Sequence, residues 1–215
     1  MDKINVIIPT RNRWDKLRRT LMTIPPDSTI RTFVVCDGDE ATFERLQRNP
    51  RPNVFPRLLT GHNGAVFCRN YVLKHIRDGG VLCATDDITF TKGMFPHILK
   101  EFNAHFPDDD GVLGVCQARS HHATGIALVG MKFLNRYPNH ALYYPGYWHF
   151  ACQEILWLAN KLKRFKATED VWIEHFHPGF YRGEMDQTHK DARLRRKQDS
   201  DLRRQREEKG EIWGQ

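Results

Sequence analysis

The sequence predicts an α/β protein, a mostly parallel twisted sheet flanked by helices. Three observations predict it. Short β-branched runs alternate with helical segments over roughly the first half of the chain, the pattern of a parallel sheet covered on both faces. The predicted strands end in polar, carboxylate-rich residues, where sheets of this class bind ligands. And 215 residues, 40% of them hydrophobic and 27% charged, suffice for one self-supporting core but not for several.

The elements follow in order. Ile4-Asn5-Val6-Ile7-Ile8 is a β-branched run closed by Pro9 and reads as a buried strand. Thr10 and Asn12 are cap-type residues, and residues 14–24 read as a helix that Pro25-Pro26 stops. Residues 31–36 form a second strand running into Asp37-Gly38-Asp39, and 41–47 a short helix. A loop with Pro50, Pro52 and Pro56 precedes a third strand at Leu58-Leu59. After a turn over 61–64, residues 65–76 place Val66, Tyr71, Val72 and Ile76 at helical spacing. Residues 81–84 form a fourth strand leading into Thr85-Asp86-Asp87, followed by a helix over 94–106 and a strand over 112–117. Asp108-Asp109-Asp110, after Pro107, reads as a solvated turn. Residues 155–162 are an apolar helix. From Glu184 the apolar residues thin out, which divides the chain into a domain over 1–183 and a charged tail over 184–215, helical or partly disordered.

Composition narrows the function classes. The net charge is +7, concentrated in residues 11–19 (net +4) and 189–215 (net +3). This charge favours an anionic partner, with solvated helix faces as the plain alternative. Five cysteines, Cys36, Cys68, Cys83, Cys116 and Cys152, form no C-x-x-C, which speaks against a disulfide scaffold or zinc ribbon. No signal peptide or bilayer-length apolar run is visible, so the expected location is cytoplasmic, without membrane association. Neither a P-loop nor a G-x-G-x-x-G fingerprint is present. The strand ends carry the chemistry instead: one Asp can hold a ribose hydroxyl or a base N–H, and another a cation that neutralises a diphosphate.

The run from Ile4 to Arg13, with Pro9-Thr10-Arg11-Asn12 at its centre, resembles the opening of family 2 glycosyltransferases of the GT-A fold. Asp37-Gly38 is similar to that family's Asp-Gly or Asp-Asp after its second strand. Asn63-Gly64 with Cys68-Arg69-Asn70 resembles its Asn-x-Gly…Ala-Arg-Asn segment. Thr85-Asp86-Asp87 stands where the family has its D-x-D metal motif, and Cys152-Gln153-Glu154-Ile155 where it has an acceptor-side Asp-x-Glu-Leu. The resemblance runs from residue 4 to about 178. Two departures stand out: Asp86-Asp87 lacks a third carboxylate, and Cys152 replaces the usual Asp.

The resemblance implies a Rossmann-like GT-A sheet and a metal-dependent, inverting transfer of a sugar from a nucleotide-diphosphate sugar, UDP-linked, to an acceptor hydroxyl. It implies Pro9, Thr10, Arg11, Asn12, Asp37, Asn63, Arg69 and Asp86 on the donor. Mn²⁺ or Mg²⁺ would sit on Asp87, with Asp86, His177 and His175 as further ligands; Pro178 favours His177 of the two. Glu154, opening the apolar helix, is the candidate general base, and Tyr147, Trp148 and Cys152 face the acceptor. His121-His122 reads as an ordinary loop. A His-x-His-Pro segment before a charged tail is similar to short bacteriophage-encoded members, whose implied acceptors include hydroxymethylated bases in double-stranded DNA. A saccharide or protein acceptor is the alternative. Two other classes stay open: a non-catalytic nucleic-acid-binding module on a degenerate GT-A fold, and a nucleotidyltransferase, which would usually carry a Gly-rich loop absent from Pro9 to Arg13.

Overall fold

The computed structural model describes residues 1–117, 125–180 and 183–215. The first half of the chain winds four parallel strands, β1 (Ile4–Thr10), β2 (Ile30–Asp37), β3 (Val54–Leu59) and β4 (Gly80–Cys83), with α1 (Trp14–Met22), α2 (Glu40–Arg48) and α3 (Ala65–Leu73) between them. The second half adds β5 (Ile88–Phe90), α4 (Met94–His105), β6 (Val112–Gln117), β7 (Ala127–Val129), α5 (Met131–Leu134), α6 (Cys152–Lys161), β8 (Phe165–His175) and α7 (Gln187–Glu208). All eight strands join one sheet in the order β3-β2-β1-β4-β7-β6-β8-β5.

Alternation along β1 explains the two-sided core. Ile4, Val6 and Ile8 face Leu17 and Leu21 of α1 and Ile98 and Phe102 of α4, while Ile7 faces Val66, Val72 and Leu73 of α3. The predicted α/β class holds, with parallel pairing confined to two regions. β7 runs antiparallel to both β4 and β6, and β5 antiparallel to β8, whereas β6 and β8 are parallel. β5 and β7 have three residues each, too few for a period-2 pattern to be read. Because β2 and β4 lie on opposite sides of β1, the strand order reverses there, and a crevice opens beyond the carboxyl ends of these strands.

Residues 187–208 of the charged tail form one long helix docked on the rest of the chain. Asp186 caps α7 with a capping box shared with His189. The Asp199 carboxylate, buried in the middle of α7, accepts the backbone N–H groups of Trp148, His149 and Phe150, each at 2.9 Å. Leu202, Ile212 and Trp213 pack on the core cluster that includes α3 and α6. The helix is held largely by buried polar groups, so its low apolar content conceals its docking. Asp108–Asp110 is likewise less solvated than expected: Asp110 is buried and paired with Arg136. Cys36, Cys68, Cys83 and Cys116 are buried thiols outside any disulfide. No helix among the described residues is long and apolar enough to cross a membrane.

Candidate active site

A cleft of about 540 Å³ lies beyond the carboxyl ends of β1, β2 and β4, with α7 forming its far wall. Pro9, Thr10 and Arg11 enter it from the end of β1 and Asp37 from the end of β2. Both Asp37 carboxylate oxygens accept the Asn63 N–H (2.9 and 3.0 Å); Oδ1 also takes the Asn63 side-chain amide at 2.8 Å and Oδ2 the Gly64 N–H at 3.0 Å. The turn needs glycine twice. Gly38 (φ +66°) passes so close to the Gly61 carbonyl that a Cβ would lie 2.1 Å from it. Gly64 (φ +86°) would set a Cβ 2.7 Å from the Trp148 ring. Arg11 Nη1 donates to the Asp37 carbonyl at 2.6 Å, tying the first two strand ends together.

The acidic pair after β4 is enclosed. Asp86 and Asp87 are each 2% exposed. Thr10 Oγ1 donates to Asp86 Oδ2 at 2.8 Å, and Arg13 Nη1 to Asp86 Oδ1 at 2.6 Å. Arg13 Nη2 lies 3.3 Å from Asp87 Oδ2, and Arg13 Nε donates to Asp186 at 2.8 Å. His175 and His189 approach Asp87 through Nε2, at 3.2 and 3.3 Å. Burial opposes ionisation of Asp87, but these imidazoles and Arg13 outweigh it and hold Asp87 well below the usual carboxylate range. Asp86 goes the other way: burial, with its neighbour's charge, overcomes Arg13 and raises it to about 6.

Arg69 from α3, 7% exposed, lines the same cleft. Its Nη2 donates to the Ala84 carbonyl at 3.1 Å, its Nε has no hydrogen-bond partner, and its guanidinium stands 5.4 Å from the Tyr143 ring centroid. Among the described residues no carboxylate pairs with it. His149 and His177 add no charge there at neutral pH, because burial lowers both to about 4.

The implied site residues separate into groups. Pro9, Thr10, Arg11, Asp37, Arg69, Asp86, Asp87, His175, His177, Trp148 and Cys152 all line the cleft. Asn12 and Asn63 do not: the Asn12 N–H donates to Asp39 at 2.6 Å, and Asn63 acts by holding Asp37. Glu154 and Tyr147 lie away from the cleft. Glu154, 3% exposed, is turned into the protein beneath α6. It accepts Arg206 Nε at 2.7 Å, Arg206 Nη2 at 3.1 Å, the Trp213 N–H at 2.8 Å and the Tyr147 hydroxyl. Every lone pair it would use on an acceptor is taken, and it does not line the cleft. Tyr147 is buried with it. His121-His122 lies outside the described residues.

The same geometry bears on the expected divalent cation. Such an ion needs several oxygen or nitrogen donors converging on one point at 2.0–2.6 Å. Among the described residues no group of three or more His, Cys, Asp or Glu does so. The Arg13 guanidinium lies between the two carboxylates instead. The residues as arranged do not fit Mn²⁺ or Mg²⁺. Arg13 and His189 are the residues that sequence reasoning passed over: one belongs to a basic stretch that reads as a helix face, the other to the charged tail. The Asp186-x-x-His189 cap was the one local signal that a helix starts there.

No protein-family model matches the chain, and no curated protein does. Solved structures match its fold. A structure of S. aureus TarS 1-349 has a TM-score of 0.59 and 14% identity, covering 88% of this chain and 68% of that one. The same protein in complex with UDP-GlcNAc gives 0.65 and 16%, covering 86% and 60%. Its UDP complex gives 0.61 and 14%, covering 88% and 68%. TarS is a family 2 glycosyltransferase of the GT-A type. The fold here is of the GT-A type. The chain spans 60–68% of these TarS 1-349 structures.

Proposed function

We propose that the chain is a glycosyltransferase that takes a sugar from a nucleoside-diphosphate sugar, UDP-linked as in the TarS complexes, and passes it to an acceptor hydroxyl. The observation that carries this reading is Arg69: a buried guanidinium at the cleft wall with no carboxylate partner among the described residues. A buried cation without its anion is costly, and a diphosphate leaving group supplies that anion while its negative charge grows. Asp37, oriented by the 63–64 turn, stands where a base or ribose donor group would be met. In the transfer the acceptor oxygen attacks the anomeric carbon. The bond to the diphosphate oxygen breaks, its electron pair leaves with the diphosphate, and the hydroxyl proton goes to a base.

With Glu154 withdrawn, the base is Asp191. Four carboxylates line the cleft: Asp37, Asp86, Asp87 and Asp191. The first is held by backbone and side-chain amides and the next two by Arg13, Thr10 and imidazoles. Among the described residues Asp191, on α7, accepts only the Gln187 side-chain amide, at 2.7 Å. Calorimetry is expected to show UDP binding well below about 1 mM, and UDP-GlcNAc is expected to release UDP slowly. Asp191→Asn should lower kcat by about 10²–10⁴-fold with UDP affinity unchanged. No UDP binding at 1 mM sinks the donor reading; full turnover in Asp191→Asn sinks the base assignment alone.

For the acceptor, Arg193 and Arg196 line the α7 wall, and Arg196 stands 5.7 Å from the ring of the exposed Phe150. This basic, aromatic rim supports a phosphate-bearing polymer, such as duplex DNA with hydroxymethylated bases, over a neutral saccharide. DNA binding should fall with salt by about 0.9 log units per log unit for each phosphate met. Absence of DNA binding at low ionic strength leaves the saccharide.

A further inference from the structure

We propose that Arg13 is the resident cation of the Asp86–Asp87 pair, so that this site binds a nucleoside diphosphate without a divalent metal. The second half of this inference rests on the donor reading above; the first half does not.

Three features carry it. The guanidinium is seated by its own geometry: Nη1 on Asp86, Nη2 on Asp87 and His189, Nε on Asp186. A planar fork with five donors matches paired carboxylates in a way that a flexible ammonium would not. Second, the side chain is not a loose occupant. It is 8% exposed and lies between three parts of the chain, the start of α1, the end of β4 and the N-terminus of α7. Asp186, which fixes its far side, is held in turn by Lys16 at 2.5 Å and by the helix cap. A metal ion entering here would have to expel a buried guanidinium from three carboxylates at once. Third, the pair lacks the extra carboxylate of a D-x-D motif, since Thr85 precedes Asp86 and Ile88 follows Asp87, and its histidines are spent on Asp87 and Gln117.

The division of labour follows. Arg13 offsets part of the negative charge of Asp86 and Asp87, which would otherwise repel a diphosphate more strongly. Arg69, which lines the same cleft and has no carboxylate partner among the described residues, receives the diphosphate itself. A guanidinium placed in advance stabilises the leaving charge with no metal to be loaded.

The test uses Mn²⁺ alone on the full chain without nucleotide, following free Mn²⁺ by its electron paramagnetic resonance signal. The wild-type protein should leave Mn²⁺ free up to about 1 mM, outside the range of built divalent sites. Arg13→Met uncovers the carboxylates and should take up Mn²⁺ at least tenfold more tightly; Arg13→Lys, which keeps a cation, should not. UDP affinity of the wild type should then be the same within twofold in chelator and in Mn²⁺. Tight Mn²⁺ uptake by the wild type, or UDP affinity that rises tenfold with Mn²⁺, overturns the proposal. Should Arg13→Met fail to fold, the wild-type Mn²⁺ titration decides by itself. If UDP does not bind under either condition, the donor reading falls, and the Mn²⁺ titration still decides whether Arg13 holds the site.

Discussion

Arg69→Met is expected to abolish nucleotide binding without harming the fold. Removing one member of a buried, charge-assisted contact costs about 2–5 kcal/mol, which lowers UDP affinity by about 30-fold to several thousand-fold. Stability should move the opposite way or stay level. In the unliganded protein the guanidinium is 7% exposed, donates to one carbonyl and has no carboxylate partner among the described residues, so methionine removes a desolvated charge and keeps most of the volume. Calorimetric titration with UDP and a thermal melt on the same sample read both effects. A variant that binds UDP like the wild type removes Arg69 from the donor site. A variant that loses binding only because its melting temperature collapses makes Arg69 a structural residue.

The second large effect is expected at Glu154 and Arg206. Their bidentate pair is buried, with Glu154 at 4% and Arg206 at 9% side-chain exposure. Arg206 draws Glu154 below its ordinary range against the effect of burial. Breaking such a pair from one side leaves a buried charge alone and costs about 3–5 kcal/mol. For a chain of this size that lowers the melting temperature by roughly 10 °C. Arg206→Leu should show this loss, Glu154→Gln somewhat less because the amide keeps part of the hydrogen bonding, and the double variant should recover part of it. The measurement also separates two roles for Glu154. A general base replaced by glutamine would lose turnover at unchanged stability; a clasp for the C-terminal helix loses stability first. Wild-type stability in Glu154→Gln with turnover lost would return Glu154 to the chemistry.

The contrast between Glu154 and Asp87 shows where reading the sequence stops. Both stand in segments that resemble the family's, which implies a metal for Asp87 and an acceptor for Glu154. Asp87 follows a short buried strand, and a residue just past such a strand is delivered to the crevice by the sheet. Glu154 is the third residue of a helix, and which way it faces depends on the helix's rotation about its axis. Arg206, 52 positions along the chain, sets that rotation. Position along a strand is a local property, whereas helix rotation here is set by a distant charge.

The sequence by itself determined the α/β class, the first four strands, the Pro25-Pro26 stop after the first helix and the Asp37 and Asp86–Asp87 positions at strand ends, whereas Arg69 was legible only through the family resemblance. The former follow from local rules: β-branched runs, period-2 and period-3.6 burial, and the placement of polar residues at strand ends. Only the tertiary structure decided that residues 187–208 form a wall of the cleft, that Glu154 is clasped by Arg206, and that Arg13 fills the space between Asp86 and Asp87. The physical reason is common to all three. Hydrophobic periodicity reports which residues leave water for an apolar core. A helix such as α7, whose buried groups include His189, Asp199 and Arg206, leaves water through specific ion pairs and hydrogen bonds to groups far away in the chain. Such bonds depend on both partners and on their separation in space, and no window of consecutive residues contains both.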